Sequence, residues 1–191
     1  MNISLIIPAA GLSTRRPPNK LKVRLGDKTV IEQTLDIYLS YDMEIILVTG
    51  YQSEEIMDSI PTRIRQHITV VRNTRYKQGL AESIKTGIRN ASENCDYFGF
   101  GLGDKPFIRQ ETIRRLGKLL ETRKPGILVP TFAGNPGHPT FFSVTYRDEL
   151  LTLTGDLGGR ELWKNHPADV IWFPVKDRGI IMDMDTYFDE K

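Results

Sequence analysis

The chain is short of the side chains on which several chemistries depend. Its 191 residues include a single cysteine, Cys95, which excludes an internal disulfide and any multi-cysteine metal site and favours a cytoplasmic setting. The three histidines, His67, His138 and His166, stand at no metal-ligand spacing, and no Ser-His-Asp or Cys-His arrangement offers a covalent nucleophile. No stretch of about 18 apolar residues occurs, so no membrane span is expected. The apolar run at 3–7 is too short for a secretory signal and no positive charge precedes it, so it is expected to stay in the mature fold. Neither charge sign dominates. The balance of 26 Lys and Arg against 24 Asp and Glu argues against a dedicated nucleic-acid binder, which spreads excess cations across a face.

What is present suits one domain with a real core: 39% hydrophobic and 26% charged residues are ordinary for a globular chain of this length. Short runs rich in Ile, Val and Phe at 44–49, 68–71, 97–102, 127–130, 140–142, 170–173 and 180–182, bounded by Gly, Pro or Asp, are predicted strands. Ile31, Leu35, Tyr38 and Leu39 recur at helical spacing, as do Leu80, Ile84, Ile88 and Ala91, and Ile113, Leu116 and Leu120. Alternating strands and helices predict an α/β fold with a largely parallel sheet and ligands at the carboxyl ends of the strands. The rhythm changes near residue 127, where 131–139 holds turn residues in place of a helix. With no repeat or long linker, this second half is expected to extend the same sheet.

The first predicted strand runs into Ala9-Ala10-Gly11 and then a cationic loop. Arg15, Arg16, Lys20, Lys22 and Arg24 lie between Ala9 and Gly26 with no acidic residue among them, a local field that favours an anion. It is not a Walker A loop, because Lys20 is preceded by Asn19 and followed by Leu21; nor is it a dinucleotide fingerprint, because Gly11 is the only glycine before Gly26. Asp104, in Gly103-Asp104-Lys105-Pro106 at the tip of a predicted strand, is placed to hold a hard divalent ion together with substrate phosphates, or to cap a turn. If 180–182 is extended, Asp183 and Asp185 point to one side and can share that ion; Asp185 is the better candidate to cap a following helix. Gly79 to Ser83 opens a helix whose N–H groups can read a base carbonyl or a phosphate, ordinary capping being the alternative. In Gly155 to Arg160, Asp156 and Arg160 bracket a glycine pair and read either as a local salt bridge or as an acceptor contact. His138 lies in an exposed-looking loop.

These segments, in this order, resemble the nucleotidyltransferases that activate cofactors and sugars, and most closely the molybdenum cofactor cytidylyltransferase (MobA-like) family. The resemblance rests on Ala9 to Arg15 with Lys20, Gly79 to Ser83, Gly103 to Pro106, Gly137-His138-Pro139, Gly155 to Arg160 and Asp183 to Thr186. It implies a single-domain, Rossmann-related, glycosyltransferase-A-like three-layer sandwich with a mostly parallel mixed sheet, its 1–126 half mainly for nucleotide and its 127–191 half mainly for the acceptor. By resemblance, Ala9, Ala10, Gly11, Leu12, Ser13, Arg15, Lys20, Gly79, Ser83 and Asp104 would bind the nucleoside triphosphate, with Arg15, Lys20 and Asp104 catalytic. Mg2+ would sit on Asp104 with Asp183 or Asp185, and His138, Asp156 and Arg160 would face the acceptor. The implied reaction moves CMP from CTP to molybdopterin and releases pyrophosphate, with a molybdoenzyme receiving the product. A sugar-phosphate acceptor and a non-catalytic nucleotide-binding or cofactor-delivery protein are the competing readings. Three departures stand out: Arg16-Pro17 for Met-Gly, Lys105 for an apolar residue, and Tyr187-Phe188 for Pro-Glu.

Overall fold

The computed structural model describes residues 1–11 and 19–190. Along the chain come β1 (Ile3–Ala9), β2 (Arg24–Leu25), β3 (Lys28–Thr29), α1 (Val30–Tyr38), β4 (Glu44–Thr49), α2 (Ser53–Asp58), α3 (Thr62–Arg65), β5 (Thr69–Arg72), α4 (Leu80–Arg89) and β6 (Tyr97–Phe100). There follow α5 (Gln110–Arg123), β7 (Ile127–Phe132), β8 (Asn135–Pro136), β9 (Thr140–Ser143), α6 (Arg147–Thr152), α7 (Arg160–Asn165), β10 (Val170–Pro174) and α8 (Met184–Asp189).

Among the described residues, eight strands form one sheet in the order β10-β7-β9-β6-β1-β4-β5, with β8 hairpinned onto β7. The β1/β4, β1/β6, β4/β5 and β7/β10 pairs are parallel, whereas β9 runs antiparallel to both β6 and β7. The sheet is therefore mostly parallel and mixed, as predicted, with the reversed strands β9 and β8 falling where the helical rhythm breaks.

Helices cover both faces. Leu5 and Ile7 of β1 join one buried cluster with Ile31, Leu35 and Tyr38 of α1, Ile56 of α2, Ile64 of α3, Leu116 and Leu120 of α5 and Met184 of α8. Ile6, pointing the other way, joins the second cluster with Ile84 and Ile88 of α4, Leu150 of α6 and Leu162 of α7. This is a three-layer sandwich. No helix of the described residues is long and apolar enough to cross a membrane.

Residues 180–182 are not a strand. Residues Arg178–Ile180 form a 3-10 turn and the chain then enters α8. The cause is Asp177, whose buried carboxylate accepts from Gly179 N–H (3.0 Å) on one oxygen and from Arg109 N–H (2.8 Å) and Thr112 Oγ–H (2.6 Å) on the other. That ties the turn to the start of α5. Gly179 has no room for a side chain, since a Cβ there would lie 2.1 Å from the Phe107 carbonyl oxygen. Two further hydrogen bonds, Met184 N–H to the Asp104 carbonyl (3.1 Å) and His138 N–H to the Ile180 carbonyl (2.9 Å), fix the tail against the loop after β6 and the segment before β9.

Close approach of α4 to β1 depends on Gly87, where an added Cβ would lie 2.3 Å from Ile6 Cγ2. Gly87→Ala is therefore expected to destabilise by about 1–3 kcal/mol through overpacking, although alanine gains roughly 1 kcal/mol of helix propensity. Urea unfolding would register a lower midpoint at an unchanged m-value.

Candidate active site

The carboxyl ends of β1 and β6 and the start of β9 meet at one edge of the sheet, as the Ile6–Phe100 and Phe100–Thr140 pairings require. Lys20 arrives there on a rigid turn. Asn19, almost fully buried, accepts Leu21 N–H at Oδ1 (3.1 Å) and donates from Nδ2 to Gln52 (3.1 Å), while the Leu21 side chain is anchored in the core. Lys20 Nζ then lies 2.6 Å from Asp104 Oδ2 and 2.9 Å from Asp185 Oδ2. Burial works against the ammonium, but Asp104 and Asp185 together outweigh it and hold its pKa above the ordinary lysine value.

The two other described cations of this loop, Lys22 and Arg24, have local partners. Lys22 pairs with Glu55 on α2, and Arg24 donates to the Asp27 carbonyl (2.8 Å). Leu12, Ser13, Arg15, Arg16 and Pro17 lie outside the described residues.

The two terminal aspartates part company. Asp183, not Asp185, caps α8: its Oδ1 accepts the N–H and Oγ–H of Thr186, both at 2.9 Å. Burial would raise its pKa, but those hydrogen bonds and the nearby Lys105 and Lys20 carry it below the ordinary carboxylate value. Asp185, two residues further, is the carboxylate that shares an ammonium with Asp104. The extended geometry expected for the pair is replaced by a helix start, which separates their directions. Lys105 is almost completely buried; burial depresses its pKa against the opposing pull of Asp183 and Asp104. Tyr187 and Phe188 pack on the core, Tyr187 lying 5.0 Å from the Phe107 ring.

His138 is not the exposed loop residue that its neighbours predicted. It is half-buried at the border of the third cavity, and Nδ1 lies 3.2 Å from the Phe100 carbonyl oxygen. A carbonyl only accepts, so Nδ1 carries the hydrogen and Nε2 keeps its lone pair. Burial first, and Lys105 second, push its pKa down to about 4, leaving the ring neutral near pH 7. His166 instead pairs with Glu149 at 2.8 Å.

Three adjoining cavities, all bordered by Pro8 and Leu80, make up the cleft. The first, about 440 Å³, is lined by Ala10, Gly11, Gly79, Ser83 and Asp156, with Tyr76, Lys77 and Gln78. The second, about 220 Å³, includes Ala9, Gly11, Lys20 and Asp104. The third, about 270 Å³, includes Phe100, His138, Thr140, Arg160 and Trp163. Ser83 Oγ accepts from Asn73 Nδ2 (3.1 Å), which directs its own proton elsewhere. Two of the N–H groups that open α4 have partners within the chain: Leu80 donates to Asp156 Oδ1 (3.2 Å) and Ala81 to the Gly155 carbonyl (2.9 Å). Gly79 makes this contact possible, with φ +105° and a Cβ position 2.3 Å from the Gly155 oxygen. No Asp156–Arg160 ion pair forms among the described residues; Asp156 borders the first cavity and Arg160 the third.

Sequence reasoning missed Tyr76 to Gln78, Asn73 and Trp163. The first three form a 3-10 turn directly before Gly79, and Trp163 stands three residues after Arg160 on α7, a spacing that shares a helix face.

Among the described residues no three His, Cys, Asp or Glu side chains form a metal cage. Two carboxylate oxygens on one cation nevertheless fit an ion such as Mg2+, which keeps waters and completes its shell with phosphate oxygens.

Because the folded-state pKa of His138 lies below the free value of 6.5, the unfolded chain takes up the proton first on acidification. Stability is then lost as pH falls from about 6.5 toward 4. His138→Gln, which can still donate to Phe100 but does not titrate, is expected to remove on the order of 2–3 kcal/mol of that loss. Urea unfolding at the two ends of the window measures it.

Known proteins are similar to this chain in sequence and in fold. The chain is 32% identical over 142 residues, 74% of its length and 70% of the relative's, to the molybdenum cofactor cytidylyltransferase of Escherichia coli K12. A nucleotidyl transferase from Methanothermobacter thermautotroptrophicus superposes with a TM-score of 0.81 at 24% identity, covering 99% of this chain and 94% of that one. A manganese complex of Rv0371C from Mycobacterium tuberculosis H37Rv superposes with a TM-score of 0.74 at 22% identity, covering 99% and 97%. Residues 5–170 match the MobA-like NTP transferase domain, and the chain belongs to that family of nucleotidyltransferases.

Proposed function

We propose that the protein transfers CMP from CTP to molybdopterin and releases pyrophosphate. The observation that carries this reading is the meeting of Lys20, Asp104 and Asp185 in a cleft whose adjoining cavities are lined by Ala10, Gly79 and Ser83 and by His138 and Arg160. Donor and acceptor would then occupy neighbouring cavities beside the charged centre. The likeness to a molybdenum cofactor cytidylyltransferase supports the choice of substrates. A cytoplasmic setting suits the lone buried thiol of Cys95. The product would pass to a molybdoenzyme.

In this reading the base lies in the first cavity against Ala10, Gly79 and Ser83, where the Ala10 methyl takes up room that a purine would need. Asp104 and Asp185 would hold Mg2+, in keeping with the manganese complex of a chain of the same fold. The bound ion would supply charge neutralisation on the phosphate oxygens. Lys20 would reach the same phosphates from the carboxylate side, and Leu12, Ser13 and Arg15 are assigned to the triphosphate by resemblance. An oxygen of the acceptor's phosphate forms the bond to the α-phosphorus as the bond to pyrophosphate breaks. That oxygen is already anionic, so no strong general base is needed. The work falls on positioning and on charge placed where it develops. On the acceptor side, His138 offers a lone pair at Nε2 and Arg160 a cation. The 1–126 half would serve the nucleotide and the 127–191 half the acceptor.

Asp104→Asn is expected to lower pyrophosphate release from CTP with molybdopterin by about 10²–10³-fold; an unchanged rate overturns the reading. Melting-temperature shifts with Mg2+ and each of CTP, GTP, UTP and ATP report donor choice through linkage to folding, and the largest shift is expected with CTP.

A further inference from the structure

We infer that Lys20 is a resident counter-ion, seated in the nucleotide-free chain where the divalent metal goes, so that metal is taken up only as triphosphate draws the ammonium away. This deepens the assignment of Asp104 and Asp185 to the metal and rests on that reading. One nitrogen lies within hydrogen-bond distance of an oxygen from each carboxylate, at 2.6 and 2.9 Å. All three side chains are about three-quarters or more buried, so neither charge is well screened by water.

The arrangement has two physical consequences. Two carboxylates brought this close in a partly desolvated cleft repel each other, and the ammonium removes that repulsion and holds both oxygens turned inward. Lys20 is in this sense a positioning residue for the metal site. A divalent ion approaching the same oxygens meets a positive charge already there and must displace it. Displacement sets the ammonium beside a doubly charged ion, and the oxygens of a triphosphate offset that repulsion. The backbone at Lys20 is fixed by the Asn19 cap and the Leu21 anchor, so the exchange needs only rotation of the lysine stem. Metal and nucleotide then raise each other's affinity, as linkage demands.

The test is a Mn2+ titration of the nucleotide-free protein, followed by the electron paramagnetic resonance signal of free Mn2+. Lys20→Met, which keeps the stem and removes the charge, is expected to bind Mn2+ about tenfold or more tightly than the unsubstituted chain. Lys20→Arg is expected to stay weak, and adding Asp104→Asn to Lys20→Met to abolish the gain. Circular dichroism and the melting temperature establish that each variant is folded. A lysine that serves phosphate alone would leave Mn2+ affinity in Lys20→Met no tighter than in the unsubstituted chain, and that result overturns the inference. Because the titration contains neither CTP nor molybdopterin, its outcome stands apart from any failure of those substrates in the activity assay.

Discussion

β1 is pressed from every side. Leu5 and Ile7 belong to one buried cluster and Ile6 to the other, while β4 and β6 are hydrogen-bonded along its two flanks. Such a strand has no tolerance for slippage, because a shift of one residue would send each side chain to the opposite face. Its end is therefore fixed, and the cleft is built outward from that end. Pro8 borders all three cavities, and Ala9, Ala10 and Gly11 follow it into the first two. The loop carrying Asp104 leaves the adjacent β6, and the tail carrying Asp185 is hydrogen-bonded to that loop. Charges from distant parts of the sequence meet because the core leaves their elements no other register.

Much of this was legible in the residues, for reasons that also explain the misses. Strands buried on both faces read as plain Ile, Val and Phe runs, and α1, α4 and α5 each carry an apolar stripe long enough to show its period. α2 and α3 were not foreseen because each contributes one fully buried apolar residue, Ile56 and Ile64, and one residue has no period. The triplet 180–182 looks alike in a strand or in a buried turn; what decides is Asp177 bonding to Arg109 and Thr112, partners remote in sequence. The same limit applied to charge. Lys20 and Asp104 stood out beside strand ends, but Lys22 and Arg24 looked equivalent to Lys20 until Glu55 and Asp27 supplied local partners. His138 was misjudged because a Gly-His-Pro segment suggests a surface turn, whereas its N–H is bonded to the Ile180 carbonyl of the tail and its ring to the Phe100 carbonyl.

The near-neutral composition conceals a strongly ordered centre. Lys20, Lys105, Asp104, Asp183 and Asp185 gather around one loop, and burial shapes each differently. Lys20 keeps its proton more firmly than usual because two carboxylates touch it; Lys105 holds its proton less firmly because desolvation outweighs more distant anions. Asp183 is committed to the start of α8, which leaves Asp185 to face the cleft with Asp104. Net charge, summed over the chain, is blind to such sorting.

The cap that the Gly155–Asp156 turn places on α4 ties two recognition surfaces together. One short segment closes the first cavity with Asp156 and opens the third with Arg160, and it is latched to the helix bearing Ser83 through Leu80 and Ala81. Under the proposed assignment of these cavities, remodelling the turn to admit a bulkier acceptor would be transmitted to the chamber next door, and the choice of one partner molecule would be mechanically entangled with the choice of the other.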